Sequence, residues 1–289
     1  MNNSPGFVKR QRIVFLMAVV ILVFTVYFAS RRSVKPVYPK KTLDEMSLTS
    51  GSDTVSKTDA VSGSDAVSDT AVKPLTKEEL NAFWDESVFI GDSVTLGLRN
   101  YVVGQRNKDV ECLSGAQFLA MGNMSYTNSL PAIGTHDSYH PKYQGKTVTI
   151  EDGVRLTGAK NVFIMLGMND FYAYSIEIGL ESAQEVVARI KEECPDAEIF
   201  IESVTPTLYD HKVFNNENIN IFNEDMKTLC EENGWTYVDV ASVMKDADGG
   251  FKGEYCSDPE DIGVHMNAEG CAAWIDYLNE FITYGGYTK

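Results

Sequence analysis

Five short apolar runs alternate with amphipathic segments in the second part of the chain, and this alternation restricts the fold more than any other feature. The runs are residues 88–90, 110–113, 161–166, 199–201 and 237–240. Each run is brief and is bounded by turn-forming residues, which is typical of a strand that is buried on both faces. Strands that alternate with helices at this spacing predict an α/β fold, a three-layer α/β/α sandwich with a central parallel sheet.

The segments between the runs carry the signals of helices and turns. Thr76 and Glu79 have the spacing of a capping box, which predicts a helix directly before the first strand. Apolar residues recur every three or four positions at 176–190 and 219–229, and a last helix is expected to begin near Asn267. Residues 147–156 alternate around a Glu-Asp-Gly sequence and predict a hairpin.

The first 76 residues differ in composition from the rest. Residues 13–30 contain no charged side chain and are nearly all apolar, which is just enough to cross a bilayer as a helix. A signal peptide is the alternative, but the small-x-small cleavage pair is missing. We therefore expect a cytoplasmic tail at 1–12, a single-pass membrane anchor at 13–30, a disordered Ser/Thr/Asp-rich linker at 31–76, and an extracellular domain at 77–289.

Charge and cysteine content exclude several classes of function. The net charge is −16, and the acidic excess lies in residues 77–289, so binding to nucleic acid or to anionic lipid is disfavoured. The five cysteines form no Cys-x-x-Cys pair and have no histidine at a zinc spacing. We expect them to be small buried apolar residues, and one disulfide bond among them stays an open alternative. No metal or cofactor is expected.

Small and reactive residues follow several of the predicted strands. Residues 91–93, Gly-Asp-Ser, follow the first strand, Gly115 follows the second, and Asn169 follows the third. Because ligands bind at the carboxyl ends of the strands in an open α/β sheet, Ser93 is a candidate nucleophile. Taken alone, the motif is more often an ordinary strand-to-helix turn with Ser93 as the helix N-cap.

Taken together, these motifs resemble those of the SGNH hydrolases, also called GDSL-type esterases and lipases. Residues 91–93 match the family's Gly-Asp-Ser motif, and residues 167–170 match its Gly-x-Asn-Asp motif. Gly115 and His265 correspond best to the family's glycine and histidine. The resemblance implies a flavodoxin-like fold, a membrane-anchored extracellular member, and ester hydrolysis without a cofactor.

The same resemblance implies an acyl-enzyme formed on Ser93. It also implies an oxyanion hole made by the backbone N–H groups of Ser93 and Gly115 and by the side-chain amide of Asn169. Donors of this kind stabilise the charge that develops on the tetrahedral intermediate.

A serine nucleophile needs a base and an acid that orients the base. His265 is the natural base because imidazole titrates near neutrality. The family has aspartate three residues before its histidine, but Ile262 occupies that position here. Asp261 is preferred as the acid, Asp258 is the second choice, and a Ser93–His265 dyad without an acid is the third.

Other residues in this part of the chain are ambiguous. His136 and His140 lie in a polar insert and are expected at the surface. Phe171, Tyr172 and Tyr174 follow Asn169 directly, and they either form a stacking platform for a sugar or pack in the core.

The sequence as a whole predicts an extracytoplasmic serine esterase that removes short acyl groups, such as O-acetyl groups, from carbohydrate. Its expected partners are an acylated small molecule or glycan and, through the anchor, a cell membrane, with no nucleic acid. Two alternatives stay open, an O-acetyltransferase of cell-wall or other glycans and a catalytically inactive glycan-binding module on the same fold.

Overall fold

The computed structural model describes residues 73–212 and 214–285. The predicted tail, the predicted anchor and all but the last few residues of the predicted linker lie outside the described residues. Within the part that is described, no helix is both long enough and apolar enough to cross a membrane.

Helices and strands alternate along the described chain. In order they are α1 (Lys77–Asp85), β1 (Ser87–Gly91), α2 (Ser93–Arg106), β2 (Gln117–Ala120), α3 (Tyr126–Ser129), β3 (Lys142–Tyr143), β4 (Lys146–Thr147), α4 (Ile150–Thr157), β5 (Asn161–Met165), α5 (Met168–Ala173), α6 (Ile176–Glu193), β6 (Glu198–Glu202), α7 (Asn216–Asn233), β7 (Thr236–Val238), α8 (Ala241–Met244) and α9 (Ala268–Thr283). The predicted capping box is present at the start of α1, and the predicted helices at 176–190, 219–229 and from about 267 are confirmed as α6, α7 and α9.

Five of the strands form one sheet in the order β2-β1-β5-β6-β7, and all neighbours are parallel. The predicted fold class is therefore confirmed. The chain leaves β1 towards β2 on one side and later adds β5 on the other side, so the direction of winding changes next to β1. In sheets of this kind ligands bind at the carboxyl ends of the strands at that point.

Helices cover both faces of the sheet, which is why its strands are apolar throughout. One apolar cluster lies between the sheet and α4, α6 and α7, and a second lies between the sheet and α1, α2 and α9. Phe118, Phe89, Phe163 and Phe200 lie side by side on four adjacent strands, with ring centroids 4.5–5.3 Å apart. This row of stacked rings fixes the register of the strands on that face.

The prediction of a strand at 110–113 is wrong, because β2 begins at Gln117. The guanidinium of Arg106 donates hydrogen bonds to the backbone carbonyls of Cys112, Leu113 and Ala116, at 2.9–3.1 Å. These bonds use carbonyls that a sheet neighbour would need, and they hold the segment as a loop.

The prediction of a hairpin at 147–156 is also wrong. Thr149 caps the amino end of a helix there, and Gly158, with φ of 68°, ends it. Ile150 and Val154 are one turn apart and both are buried, so the apolar pattern has a helical period rather than alternating. The hairpin in this region is formed by β3 and β4, which pair just before the helix.

Candidate active site

The junction between β1 and α2 presents Ser93 at the carboxyl edge of the sheet. A side chain at Gly91 would place its Cβ 1.9 Å from Thr95 Oγ1, so only glycine allows α2 to pack this closely on β1. Asp92 then caps the helix by accepting a hydrogen bond from the backbone N–H of Val94 at 2.9 Å. Ser93 is the first helical residue, and its own N–H has no acceptor within the helix.

A second glycine makes the turn from β5 into α5. Gly167 has φ of 132°, and a Cβ there would lie 2.4 Å from the ring of Phe222. The break places Asn169 at the same edge as Ser93. The amide Nδ2 of Asn169 donates to Asp92 Oδ2 at 2.9 Å and to the backbone carbonyl of Met124 at 3.2 Å.

His265 lies between Ser93 and a carboxylate, as predicted. Its Nε2 is 3.0 Å from Ser93 Oγ, and its Nδ1 is 2.7 Å from Asp258 Oδ2. When Nδ1 carries the proton and donates it to the carboxylate, Nε2 is left free to accept the proton of the serine hydroxyl. The three side chains therefore have the arrangement of a Ser-His-Asp triad.

The carboxylate of this triad is Asp258, not the preferred candidate Asp261. Asp258 Oδ1 accepts hydrogen bonds from the backbone N–H groups of Val264 and His265, at 3.2 and 3.0 Å, and from the thiol of Cys256 at 3.3 Å. Asp261 is exposed, and only its backbone N–H reaches Asp258. The loop folds back on itself, so the Asp258 carboxylate, and not that of Asp261, reaches the His265 imidazole.

The pKa of the triad carboxylate and the pKa of the neighbouring Asp92 are shifted in opposite directions. Partial burial alone would raise the pKa of Asp258, but hydrogen bonds from the His265 side chain and backbone bring it below its usual value. Burial raises the pKa of Asp92 to about 6, although the N–H of Val94 and the nearby His265 oppose the shift. Asp258 is therefore charged at neutral pH, ready to stabilise an imidazolium.

The prediction that Gly115 contributes to the oxyanion hole is wrong. Gly115 comes before β2, at the amino edge of the sheet, and its N–H donates to Asp85 Oδ1 at 2.7 Å. The glycine that follows β2 at the carboxyl edge is Gly122. The sequence carried a signal for it, because residues 118–121, Phe-Leu-Ala-Met, are an apolar run directly before this glycine.

The loop after β2 is tied to the loop after β5. The buried carboxylate of Asp170 accepts hydrogen bonds from the backbone N–H groups of Tyr126 and Thr127 and from the Thr127 hydroxyl, at 2.7–3.0 Å. Together with the bond from Asn169 to Met124, these contacts hold the segment around Gly122 beside α5. Asp170 therefore has a structural role at this edge of the sheet.

The ambiguous residues separate into core and surface. His136 is exposed as expected, whereas His140 is buried and lies 2.9 Å from a backbone carbonyl, so its surface prediction is wrong. Phe171 packs in the core, but Tyr172 and Tyr174 are exposed.

The five cysteines are free thiols. Within residues 73–212 and 214–285, no group of three His, Cys, Asp or Glu side chains is placed to hold a metal ion.

A family model described as "GDSL-like Lipase/Acylhydrolase family" matches residues 89–273. Among solved structures, a GDSL-like lipase from Bacteroides thetaiotaomicron is 14% identical over 73% of this chain and 92% of that chain, with a TM-score of 0.48. A member of the lipolytic protein G-D-S-L family from Veillonella parvula is 16% identical over 68% and 97%, with a TM-score of 0.47. A carbohydrate esterase family 3 protein from Talaromyces cellulolyticus is 13% identical over 70% and 99%, with a TM-score of 0.48. No curated protein matches the chain.

Proposed function

The chain belongs to the GDSL-like lipase/acylhydrolase family and is an ester-hydrolysing serine hydrolase, and on this basis we propose that Ser93 is its nucleophile. His265 is the general base, and Asp258 orients His265. The observation that carries this proposal is the pair of hydrogen bonds from Ser93 Oγ to His265 Nε2 and from His265 Nδ1 to Asp258, 3.0 and 2.7 Å long.

In the first half of the reaction, Ser93 Oγ attacks the ester carbonyl while His265 Nε2 takes the hydroxyl proton. The tetrahedral intermediate then collapses, the bond between the acyl carbon and the alcohol oxygen breaks, and His265 returns the proton to the leaving alcohol. In the second half, His265 takes a proton from water while the water oxygen attacks the acyl carbon. The bond between the acyl carbon and Ser93 Oγ then breaks, the carboxylic acid leaves, and His265 returns the proton to Ser93 Oγ.

The negative charge on the intermediate is stabilised by the backbone N–H of Ser93 at the start of α2, where the helix dipole is also favourable. Gly122 supplies a second N–H from the loop after β2. Asn169 joins when it exchanges its 3.2 Å bond to Met124 for one to the substrate oxygen, while its shorter bond to Asp92 keeps the amide in place.

The substrate class in this proposal is short acyl esters, chiefly O-acetyl esters, on carbohydrate. A hydrolase domain tethered outside the cytoplasm would meet short acyl esters on surface glycans, and this favours a small acyl group. Exposed tyrosines after Asn169 favour a sugar as the alcohol part.

We also propose that residues 13–30 anchor the chain in a membrane with the hydrolase domain outside the cytoplasm, where acylated glycans of the cell surface are within reach. Protease added to intact cells tests this arrangement. Degradation of the hydrolase domain while the cells stay intact supports it, and protection until the cells are lysed contradicts it.

Hydrolysis of p-nitrophenyl acetate by the purified full chain tests the catalytic assignment. We expect Ser93→Ala to lower kcat by about 10⁴-fold or more, because loss of a triad nucleophile leaves only binding and oxyanion stabilisation. Longer acyl chains should be hydrolysed more slowly than acetate. Equal rates for the wild-type chain and Ser93→Ala would refute Ser93 as the nucleophile.

A further inference from the structure

Tyr172 lies on the same face of α5 as Asn169. The two residues are three positions apart in a helix, so their side chains project in similar directions. Asp170 and Phe171, between them, are turned into the protein and are buried. The ring of Tyr172 is 67% exposed, and nothing in the hydrolytic reaction requires it.

Tyr209 lies in the loop after β6 and contacts the loop that carries Asp258 and His265. Its hydroxyl donates a hydrogen bond to the backbone carbonyl of Pro259 at 2.7 Å, directly after Asp258. Its ring also lies against Gly263, where a Cβ would come within 3.1 Å of it. The ring is therefore held on the loop that carries Asp258 and His265, yet 46% of the residue is exposed.

The chemistry around these rings fits a neutral sugar better than a lipid or an anion. The apolar C–H face of a pyranose packs on an aromatic ring, and the tyrosine hydroxyl and nearby carboxylates bond to its hydroxyl groups. Glu260 and Asp261 are exposed on the same loop as Asp258 and supply such carboxylates. They also repel phosphate and other anionic ligands.

We propose that Tyr172 and Tyr209 form a sugar-binding subsite beside Ser93 that contacts the ring carrying the scissile ester. Tyr172 supplies an exposed ring for stacking, and Tyr209 supplies a second ring that is fixed to the loop carrying Asp258 and His265. This inference rests on the proposed function, because a subsite of this kind acts only if Ser93 receives the acyl group.

The test compares two esters with the purified full chain, acetylated xylobiose and ethyl acetate, by measuring released acetate. The readout is the preference, defined as kcat/KM for acetylated xylobiose divided by kcat/KM for ethyl acetate. We expect Tyr172→Ala to lower this preference about tenfold, mainly through KM for the sugar ester, because stacking binds ground state and transition state alike. Tyr172→Phe keeps the ring and should retain most of the preference.

Tyr284→Ala is the matched control. Tyr284 is 62% exposed and follows α9, about 24 Å along the helix from the end near His265. It should leave both esters unchanged. Tyr209→Ala should lower the rate with both esters, because it also frees the loop at Pro259, whereas Tyr209→Phe keeps the ring and tests the hydrogen bond alone.

Several outcomes would overturn the subsite. One is an unchanged preference in Tyr172→Ala, which includes an equal loss with both esters. A second is a wild-type chain that does not prefer the sugar ester, and a third is a Tyr172-dependent preference for decanoate esters. If ethyl acetate hydrolysis still depends on Ser93 in these cases, the proposed function stands without the subsite. If neither ester is hydrolysed in a Ser93-dependent way, the proposed function itself fails.

Discussion

Asp258→Asn replaces the triad carboxylate with a group of the same shape. The asparagine oxygen can still accept hydrogen bonds from the backbone N–H groups of Val264 and His265, which Asp258 Oδ1 now accepts. The loop should therefore keep its conformation. The new NH₂ group, however, takes the place of Oδ2, which lies 2.7 Å from His265 Nδ1.

Two donors cannot face each other at that distance, so His265 must move its proton from Nδ1 to Nε2. A protonated Nε2 then faces Ser93 Oγ at 3.0 Å and cannot accept its proton. The same change in a serine protease lowers kcat by about 10⁴-fold through this tautomer. We expect kcat for p-nitrophenyl acetate to fall by about 10³- to 10⁴-fold, or about 4–5 kcal/mol of transition-state stabilisation, with little change in KM.

Asp261→Asn is the matched control, because it makes the same chemical change on the same loop. Asp261 is exposed, and only its backbone contacts Asp258, so its kcat should stay within about twofold of wild type, as for other surface changes. The test measures steady-state rates of the wild type and both variants at pH 7.5, and far-UV circular dichroism verifies that the variants fold. A kcat for Asp258→Asn within tenfold of wild type, or a larger loss in Asp261→Asn, would refute the assignment.

Two further predictions concern stability. Burial raises the pKa of Glu202 from 4.5 to about 8, so the unfolded chain ionises this carboxyl first and its contribution to stability falls as pH rises from about 4.5 to about 8. Glu202→Gln keeps the acceptor for the Trp274 indole N–H and should be more stable than wild type at pH 8 by up to about 3.5 kcal/mol relative to their difference at pH 5, measured by urea unfolding; an equal difference at both pH values would contradict this. Gly91→Ala should destabilise the fold by about 3 kcal/mol or more, because its Cβ overlaps Thr95, whereas Gly97→Ala, in α2 with open space around it, should stabilise by about 0.5–1 kcal/mol; thermal unfolding midpoints that shift in the same direction would contradict this account of the junction.

The parts of the site that the sequence predicts correctly are those fixed by neighbouring residues. Gly91 ends β1 and must lack a side chain because Thr95, one turn into the next helix, lies against it, and Gly167 follows β5 with φ of 132°, which only glycine adopts readily. Ser93 and Asn169 then follow at a set distance from the strand end. Because the strands are parallel, local signals of this kind are enough to bring both side chains to one edge of the sheet.

The second strand is predicted wrongly because its position depends on hydrogen bonds from the Arg106 side chain, which strand propensity does not include. Residues 110–113 and 117–120 are both short, mainly apolar segments followed by a glycine, and local propensity does not separate them. Arg106, at the end of α2, bonds to carbonyls in the first run and leaves the second to pair with β1. The shift of seven residues moves the expected oxyanion donor from Gly115 to Gly122, at the opposite edge.

The choice between Asp258 and Asp261 depends on how the loop closes on itself, which residue spacing alone does not reveal. Gly263, with φ of 70°, bends the loop, and its carbonyl accepts a hydrogen bond from the N–H of Leu208 at 2.8 Å. The bend brings the start of the loop against His265, so Asp258 both closes the loop through backbone N–H groups and orients the imidazole. One carboxylate therefore holds the loop and the base together. Changes that loosen this loop should consequently reduce catalysis even where they leave every triad residue in place.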